Sequence, residues 1–248
     1  MKRLFSALLI LASLGASAAL KEKVYRYLPL KEDLSVIYPG GERNMNVSYS
    51  RNSEAVTPDF KTVSVNQPRF WKGGLLIEAG GKVPDRGTIN LLPGKEDPFD
   101  KSGASVQAIA GMTKSAFSFS GKIVLKPVAF NIKKNFLSTT HIFSFYAKGS
   151  GKLKLTPVTV LQNGQKKNLP VQEFQLTGEW KRYFIKIDGG VVRTKKDLVD
   201  TFSATLEGKN VSFDAAMLET PCSYFGVNSP TTYVPNGAYR MPDQLKMP

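Results

Sequence analysis

Few side chains in this 248-residue chain are of kinds that catalyse reactions or hold metals. His141 is the single histidine and Cys222 the single cysteine. One histidine cannot build a multi-His metal site, and a Ser-His-Asp triad would rest wholly on it. One cysteine excludes C-x-x-C chemistry and any intrachain disulfide, so packing alone must hold the fold. No G-x-S-x-G elbow is present, and the runs GKVPDRG and GSGK sit among strand patterns, away from any helix start that would make a phosphate site of them. What remains is carboxylate chemistry. Glycoside hydrolysis needs only two acids, and Glu173, Glu179, Asp214 and Glu219 are the candidates in the strand-rich part. Asp214 and Glu219 are an odd number of residues apart, which puts them on opposite faces of an unbroken strand and argues against a shared site. Glu78 follows Leu75-Leu76-Ile77 and precedes Ala-Gly-Gly. It reads as a structural residue at a strand end, taking backbone N–H groups or pairing with Arg51 or Arg69.

Binding needs different groups. Sugar rings stack on the faces of Trp and Tyr, which offer apolar area with a polar tip. Trp71, Tyr146, Trp180 and Tyr183 are the available rings. Tyr146 shares the less apolar side of its strand with Ser144 and Lys148, so it is the expected ligand-facing aromatic. Burial inside a sandwich layer is the competing role for it. Trp71 is a second expected platform, with Lys148, Lys154 and Lys181 as contacts for an anionic ligand.

The elements that must position these groups are strands. In AFSFSGKIVLK, Phe117 and Phe119 alternate with Ser118 and Ser120. In HIFSFYAKG, Phe143, Phe145 and Ala147 share one face, and Ile142, Ser144 and Tyr146 the other. Leu153 and Leu155 oppose Lys152 and Lys154. In NVSFDAAMLE the same alternation puts Val211, Phe213, Ala215 and Met217 on one face, with Ser212, Asp214 and Leu218 on the other. A period of two means strands with one buried face. Turns are expected at 148–151, at Asn163-Gly164, at 188–190 and at 208–210. Strands of this length and spacing predict an all-β, antiparallel sandwich.

Residues 1–18 have the layout of a secretory signal: basic Lys2-Arg3, an apolar run from Leu4 to Leu14, and a closing Ala16-Ser17-Ala18. No later stretch is long and apolar enough to cross a membrane. The expected product is secreted, periplasmic or held at the cell surface. Its expected parts are an N-terminal extension with short strands over 19–95, the sandwich over 96–236 and a tail over 237–248. The net charge is +14, and residues 121–196 carry most of it: fifteen Lys and Arg against Glu173, Glu179 and Asp188. Such a surface suits an acidic partner, although charge on exposed strand faces also serves solubility.

Two separated signatures carry a resemblance. The first is Arg51-Asn52-Ser53, Pro68-Arg69-Phe70, Gly74-Leu75-Leu76-Ile77-Glu78 and Asn90-Leu91-Leu92. The second is the run from Val211 to Glu219, followed by Thr231-Thr232-Tyr233-Val234-Pro235. Together they resemble a motif of phage tail and virion-associated proteins and of some exported bacterial proteins, in which these segments frame a jelly-roll domain. Here AGGKVPDRG lengthens the step from Glu78 to Asn90, and Ile89 stands where that group has Thr. FSFYAKGSGKLKLTPVTV and LTGEWKRYFIKI are similar to the middle strands of jelly-roll carbohydrate-binding modules (concanavalin A-like or galactose-binding-like). The resemblance implies a jelly-roll β-sandwich that binds carbohydrate without chemistry of its own. It implies Trp180, in W-x-x-Y with Tyr183, as a packing residue, and offers Asp214 as a ligand of a structural Ca2+, with an exposed or hydrogen-bonded carboxylate as the alternative; no other cofactor is expected. The expected function is therefore a secreted, non-catalytic carbohydrate-binding sandwich, for an acidic glycan by its charge. Its rivals are a structural or adhesive surface protein with protein partners and, further off, a divergent polysaccharide lyase or hydrolase. Nucleic acid is not expected, because the basic residues form no recognition motif.

Overall fold

The computed structural model describes residues 35–37, 44–46, 48–71, 74–76, 88–130, 140–190, 198–219, 230–240 and 244–246. Residues 1–18, the expected signal, lie outside the described residues with Glu78 and Cys222, as does the side chain of Trp71. Every regular element among them is a strand. In chain order these are β1 (Ser35–Ile37), β2 (Asn44–Asn46), β3 (Ser48–Ser50), β4 (Ala55–Val56), β5 (Thr62–Val63), β6 (Arg69–Trp71), β7 (Gly74–Leu76), β8 (Thr88–Ile89), β9 (Phe99–Asp100) and β10 (Ala104–Ala108). They continue with β11 (Phe117–Ala129), β12 (His141–Lys148), β13 (Gly151–Leu161), β14 (Lys166–Asn168), β15 (Gln172–Leu176), β16 (Lys181–Ile187), β17 (Val199–Glu219), β18 (Tyr239–Arg240) and β19 (Gln244–Lys246). Among the described residues no helix is long and apolar enough to cross a membrane.

The chain divides into two compact units. The smaller holds the antiparallel pairs β1–β2, β6–β7 and β3–β19. The larger holds everything else, including segment 51–65 and residues 88–95, which the sequence pattern assigned to an N-terminal extension.

The larger unit is built on long antiparallel strands that bend together. β17 runs beside β11 along one edge, and along its other edge beside β13 and then β12. β12 and β13 therefore lie end to end, as do β16 and β15 on their outer side. The turn expected at 208–210 is a bend inside one 21-residue strand, not a chain reversal. The bend has a local cause. Gly121 and Gly151 take φ values of 119° and 101°, and Asn210 takes 51°, a region that glycine and asparagine enter at least strain. The β11–β17 ladder shifts register between Phe119 and Gly121. There the Asn210 N–H donates to Ser120 Oγ at 2.8 Å, and that hydroxyl donates to Asn210 Oδ1 at 3.1 Å.

The bend makes two half-sheets that face each other. The first comprises β10, residues 117–120 of β11, residues 211–219 of β17, β12 and β16. The second comprises β9, residues 121–129 of β11, residues 199–208 of β17, and β13 with β14 and β15. Rings meet across the gap: Phe143 with Phe202 at 5.5 Å, Phe145 with Phe174 at 5.8 Å, and Phe213 with Phe99 at 5.3 Å. Each buried ring of this kind contributes roughly 2–3 kcal/mol by area removed from water. The fold is an antiparallel β-sandwich rolled over on itself in the manner of a jelly roll.

Most of the expected facing is found. Phe117, Phe119, Phe143, Phe145, Leu153 and Leu155 all enter the core. Asn163-Gly164 forms the β13–β14 hairpin, with Gly164 at φ 82° and the Leu161 N–H donating to Gln165 O. The exception is the end of β17. Ala215 sits at φ 48°, and the β12–β17 ladder shifts between Ser144 and Tyr146. This β-bulge adds one residue to the strand and reverses the alternation after it. Ala216 and Leu218 join Val211 and Phe213 in the core, and Met217 turns to the outer face opposite Ser144. The regular alternation expected through Ala215 and Met217 is thereby corrected.

Candidate functional site

The bulge also corrects the placing of the two acids. Asp214 stands opposite Tyr146 and Glu219 opposite Ile142, and these two β12 residues share the outer face of the first half-sheet. Both acids are buried there, because segments 88–92, 109–116 and 230–236 bring partners over them. The Asp214 carboxylate accepts the Thr113 N–H at 2.8 Å, the Ala215 N–H at 2.7 Å and the Thr113 hydroxyl. Glu219 accepts the Thr231 N–H at 3.0 Å and the Thr231 hydroxyl at 2.6 Å. Their β12 partners are four residues apart, roughly 13 Å of strand, and glycosidase carboxylates stand about 5–9.5 Å apart. Asp214, the expected calcium ligand, is thus an acceptor for three donors. No group of three or more His, Cys, Asp or Glu able to hold a metal occurs among the described residues.

Glu173 is exposed and lies 2.8 Å from Lys152 Nζ, whose hydrogen bond and charge hold its carboxyl below the ordinary range. A general acid needs the opposite shift. His141 is buried and stacks flat on the Phe130 ring at 3.7 Å.

The expected ligand contacts are dispersed. Tyr146 is half-buried, with Phe60 edge-on at 5.3 Å and the Arg182 guanidinium 5.6 Å from its ring. Phe60 reaches it from a tight turn, 57–61, in which it takes φ 64°. Lys148 lies on the same side, its ammonium 5.1 Å from the Trp180 ring. Lys181 points to the opposite side with Tyr183, 5.8 Å from that ring. Tyr183 itself is buried against Phe145 and Phe174, and its hydroxyl donates to Gln175 O. Lys154 stands on the outer face of the second half-sheet, flanked across the strands by Glu207 and Glu173. That outer face is open: Thr156, Val158, Ser203 and Thr205 are half-exposed along its middle.

One cleft among the described residues, of about 330 Å3, lies where the bulge meets the loops. That is at the lower end of ligand-pocket sizes. Phe99, Phe117 and Phe213 form its apolar floor, with Ala215 and Ala216 beside them. Lys95, Glu96, Asp97, Lys101, Ser115, Asp214 and Asn236 supply polar groups around it. The turn at its mouth is internally fixed. Asp97 Oδ1 accepts the Phe99 N–H at 3.0 Å, and the backbone oxygen of Asp97 accepts Lys126 Nζ at 3.1 Å. Asp97 Oδ2 lies 2.7 Å from Lys101 Nζ, and that ammonium sits 3.8 Å from the centre of the Phe117 ring. Lys101, Asp97 and Ser115 were not singled out by residue pattern. The available signal was the Pro- and Gly-rich run from Pro93 to Gly103, because loops carried on a rigid sandwich are where binding groups gather.

The signature residues, by contrast, fasten the fold. Asn90 Nδ2 donates to Val234 O at 2.9 Å, Asn236 Oδ1 at 3.0 Å and Ala216 O at 3.3 Å. Its Oδ1 accepts the N–H groups of Leu92 and Leu218. Arg51 is buried and donates to the carbonyls of Ser53 and Ser64, each at 2.8 Å, closing the β4–β5 hairpin.

No protein-family model matches the sequence, and no curated protein matches it. Solved structures are similar at low identity. The enzymatically active domain of tailspike protein 4 from bacteriophage CBA120 matches 52% of this chain with a TM-score of 0.38 and 8% identity. The chain spans only 21% of the length of that domain. The CBM22-1 xylan-binding domain of Paenibacillus barcinonensis Xyn10C matches 59% of this chain and 98% of its own, at 16% identity and TM-score 0.36. The carbohydrate-binding module CBM6cm-2 of Cellvibrio mixtus lichenase 5A, in complex with cellotriose, matches 55% and 98%, at 11% identity and TM-score 0.34.

Proposed function

We propose that this protein is an exported, non-catalytic sandwich that binds carbohydrate in the cleft floored by Phe99, Phe117 and Phe213. The observation that carries the reading is the pairing of this aromatic floor with a rim of carboxylate, ammonium, hydroxyl and amide groups. A sugar has an apolar ring face and a perimeter of hydroxyls that both donate and accept, so it needs both kinds of surface at once. The hydrogen-bonded burial of Asp214 and Glu219 and the ion pairing of Glu173 support binding without turnover. The net charge of +14 favours acidic polysaccharide by long-range attraction, an effect that weakens as salt rises.

A glycan array at low and high salt tests the reading, with Ser115→Trp to fill the cleft. Binding by the natural chain should disappear in the variant while its melting temperature holds. No glycan bound at either salt would sink the proposal. A second reading, a surface protein with protein partners, draws on the open outer face that carries Thr156, Val158, Ser203 and Thr205. Concentration-dependent association in light scattering would favour it.

A further inference from the structure

We infer that the cleft selects sugars bearing a carboxylate, and that Lys101 makes the selection by exchanging Asp97 for the carboxylate of the ligand. The inference rests on the carbohydrate reading of the same cleft and names its ligand class. Net charge brings a polyanion near but cannot distinguish a uronic acid from its neutral ester once bound; that needs a charged group at the site. Lys101 is such a group. Its ammonium is held over the Phe117 ring at 3.8 Å, and both line the cleft.

The place that a ligand carboxylate would take is already marked by a carboxylate. Asp97 Oδ2 sits 2.7 Å from Lys101 Nζ, and the Asp97 side chain is 48% exposed. Ion pairs this open to water are weak and are readily exchanged. Asp97 does not depend on Lys101 for its position, because Oδ1 is anchored to the Phe99 N–H at 3.0 Å. It can lose Lys101 without the turn opening. An ammonium carries three protons, so during the exchange it can hold Asp97 and a ligand oxygen together. Asp97 thereby acts as a built-in competitor: it keeps the cation placed in the empty cleft and weakens every anionic ligand by the same factor.

The test titrates the full chain with trimers of galacturonate, glucuronate and mannuronate, each beside its methyl ester. Esterification removes the charge and keeps the ring. At least one acid should bind roughly tenfold more tightly than its ester. Lys101→Met should abolish that preference, bringing acid binding down to the level of the ester in the same variant or below it. Asp97→Asn should tighten acid binding several-fold, a gain that a folding defect cannot produce. Acid and ester binding equally, a preference that survives Lys101→Met, or weaker acid binding in Asp97→Asn would each overturn the inference and leave the carbohydrate reading standing. No binding of any acid or ester would overturn both.

Discussion

Asp214 and Glu219 stand on the same face of β17 although they are five positions apart, because Ala215 at φ 48° adds a residue between. Their spacing along the strand does not suit a glycosidase pair. Each acid closes a different covering segment onto the first half-sheet: Asp214 holds Thr113, and Glu219 holds Thr231.

The bulge predicts an unusual order of substitutions. In a regular buried strand, Val is favoured and Gly is destabilising. At left-handed φ the preference inverts. Ala215→Gly should leave the urea midpoint unchanged or raise it slightly. Ala215→Val should lower stability by roughly 2–3 kcal/mol. Val tolerated and Gly harmful would mean that the strand runs on without a bulge.

Asn90 gathers three chain segments with one amide, bonding to Ala216, Leu218, Val234 and Asn236. Asn90→Ala leaves buried carbonyls and N–H groups without these partners, each costing about 1–3 kcal/mol. A total loss of roughly 3–4 kcal/mol would lower the melting temperature by about 6–16 °C for a chain of this size. A change within about 2 °C would show that the segments are held some other way.

Tyr233 gives the alkaline side of the stability profile its shape. Burial first, and then the negative charge of Asp214, push its hydroxyl up to about 12. A folded-state pKa above the unfolded value means stability that is complete below about pH 10 and lost as pH climbs through about 12. Allowing for partial solvent access, the amount is roughly 1–2 kcal/mol. Tyr233→Phe should remove this part of the alkaline decline, so the natural chain should lose roughly 1–2 kcal/mol relative to the variant between about pH 10 and 12. Curves that stay parallel through that range would contradict the assignment.

The strand faces were legible in the sequence wherever alternation ran unbroken, as in Phe117–Phe119, Phe143–Phe145 and Leu153–Leu155. Asn163-Gly164 was legible because only a tight hairpin wants two residues at ease with positive φ. The bulge was not, since alanine carries no mark of a left-handed backbone; the surrounding ladder imposes it. The long bend was misread for a related reason, because Gly208-Lys209-Asn210 has the composition of a reversal and only the pairing of β17 on both sides keeps it extended. Asn90, Glu219, Thr231 and Val234 stood out as signature residues, and the structure gives them a mechanical role in fastening segments. The cleft was illegible because its groups come from residues 95–101, 115, 213–216 and 236. No local pattern joins positions so far apart. Lys101 looked like any surface lysine until the Phe117 ring was found beneath it.

β11 and β17 each belong to both half-sheets, running through the bend instead of ending at it. Neither layer can therefore melt as a separate foldon while the other persists, since each would have to give up half of the same two strands. Amide protons on the two layers should exchange with solvent through a single shared opening event, and a ligand that steadies the cleft would slow exchange across the whole sandwich.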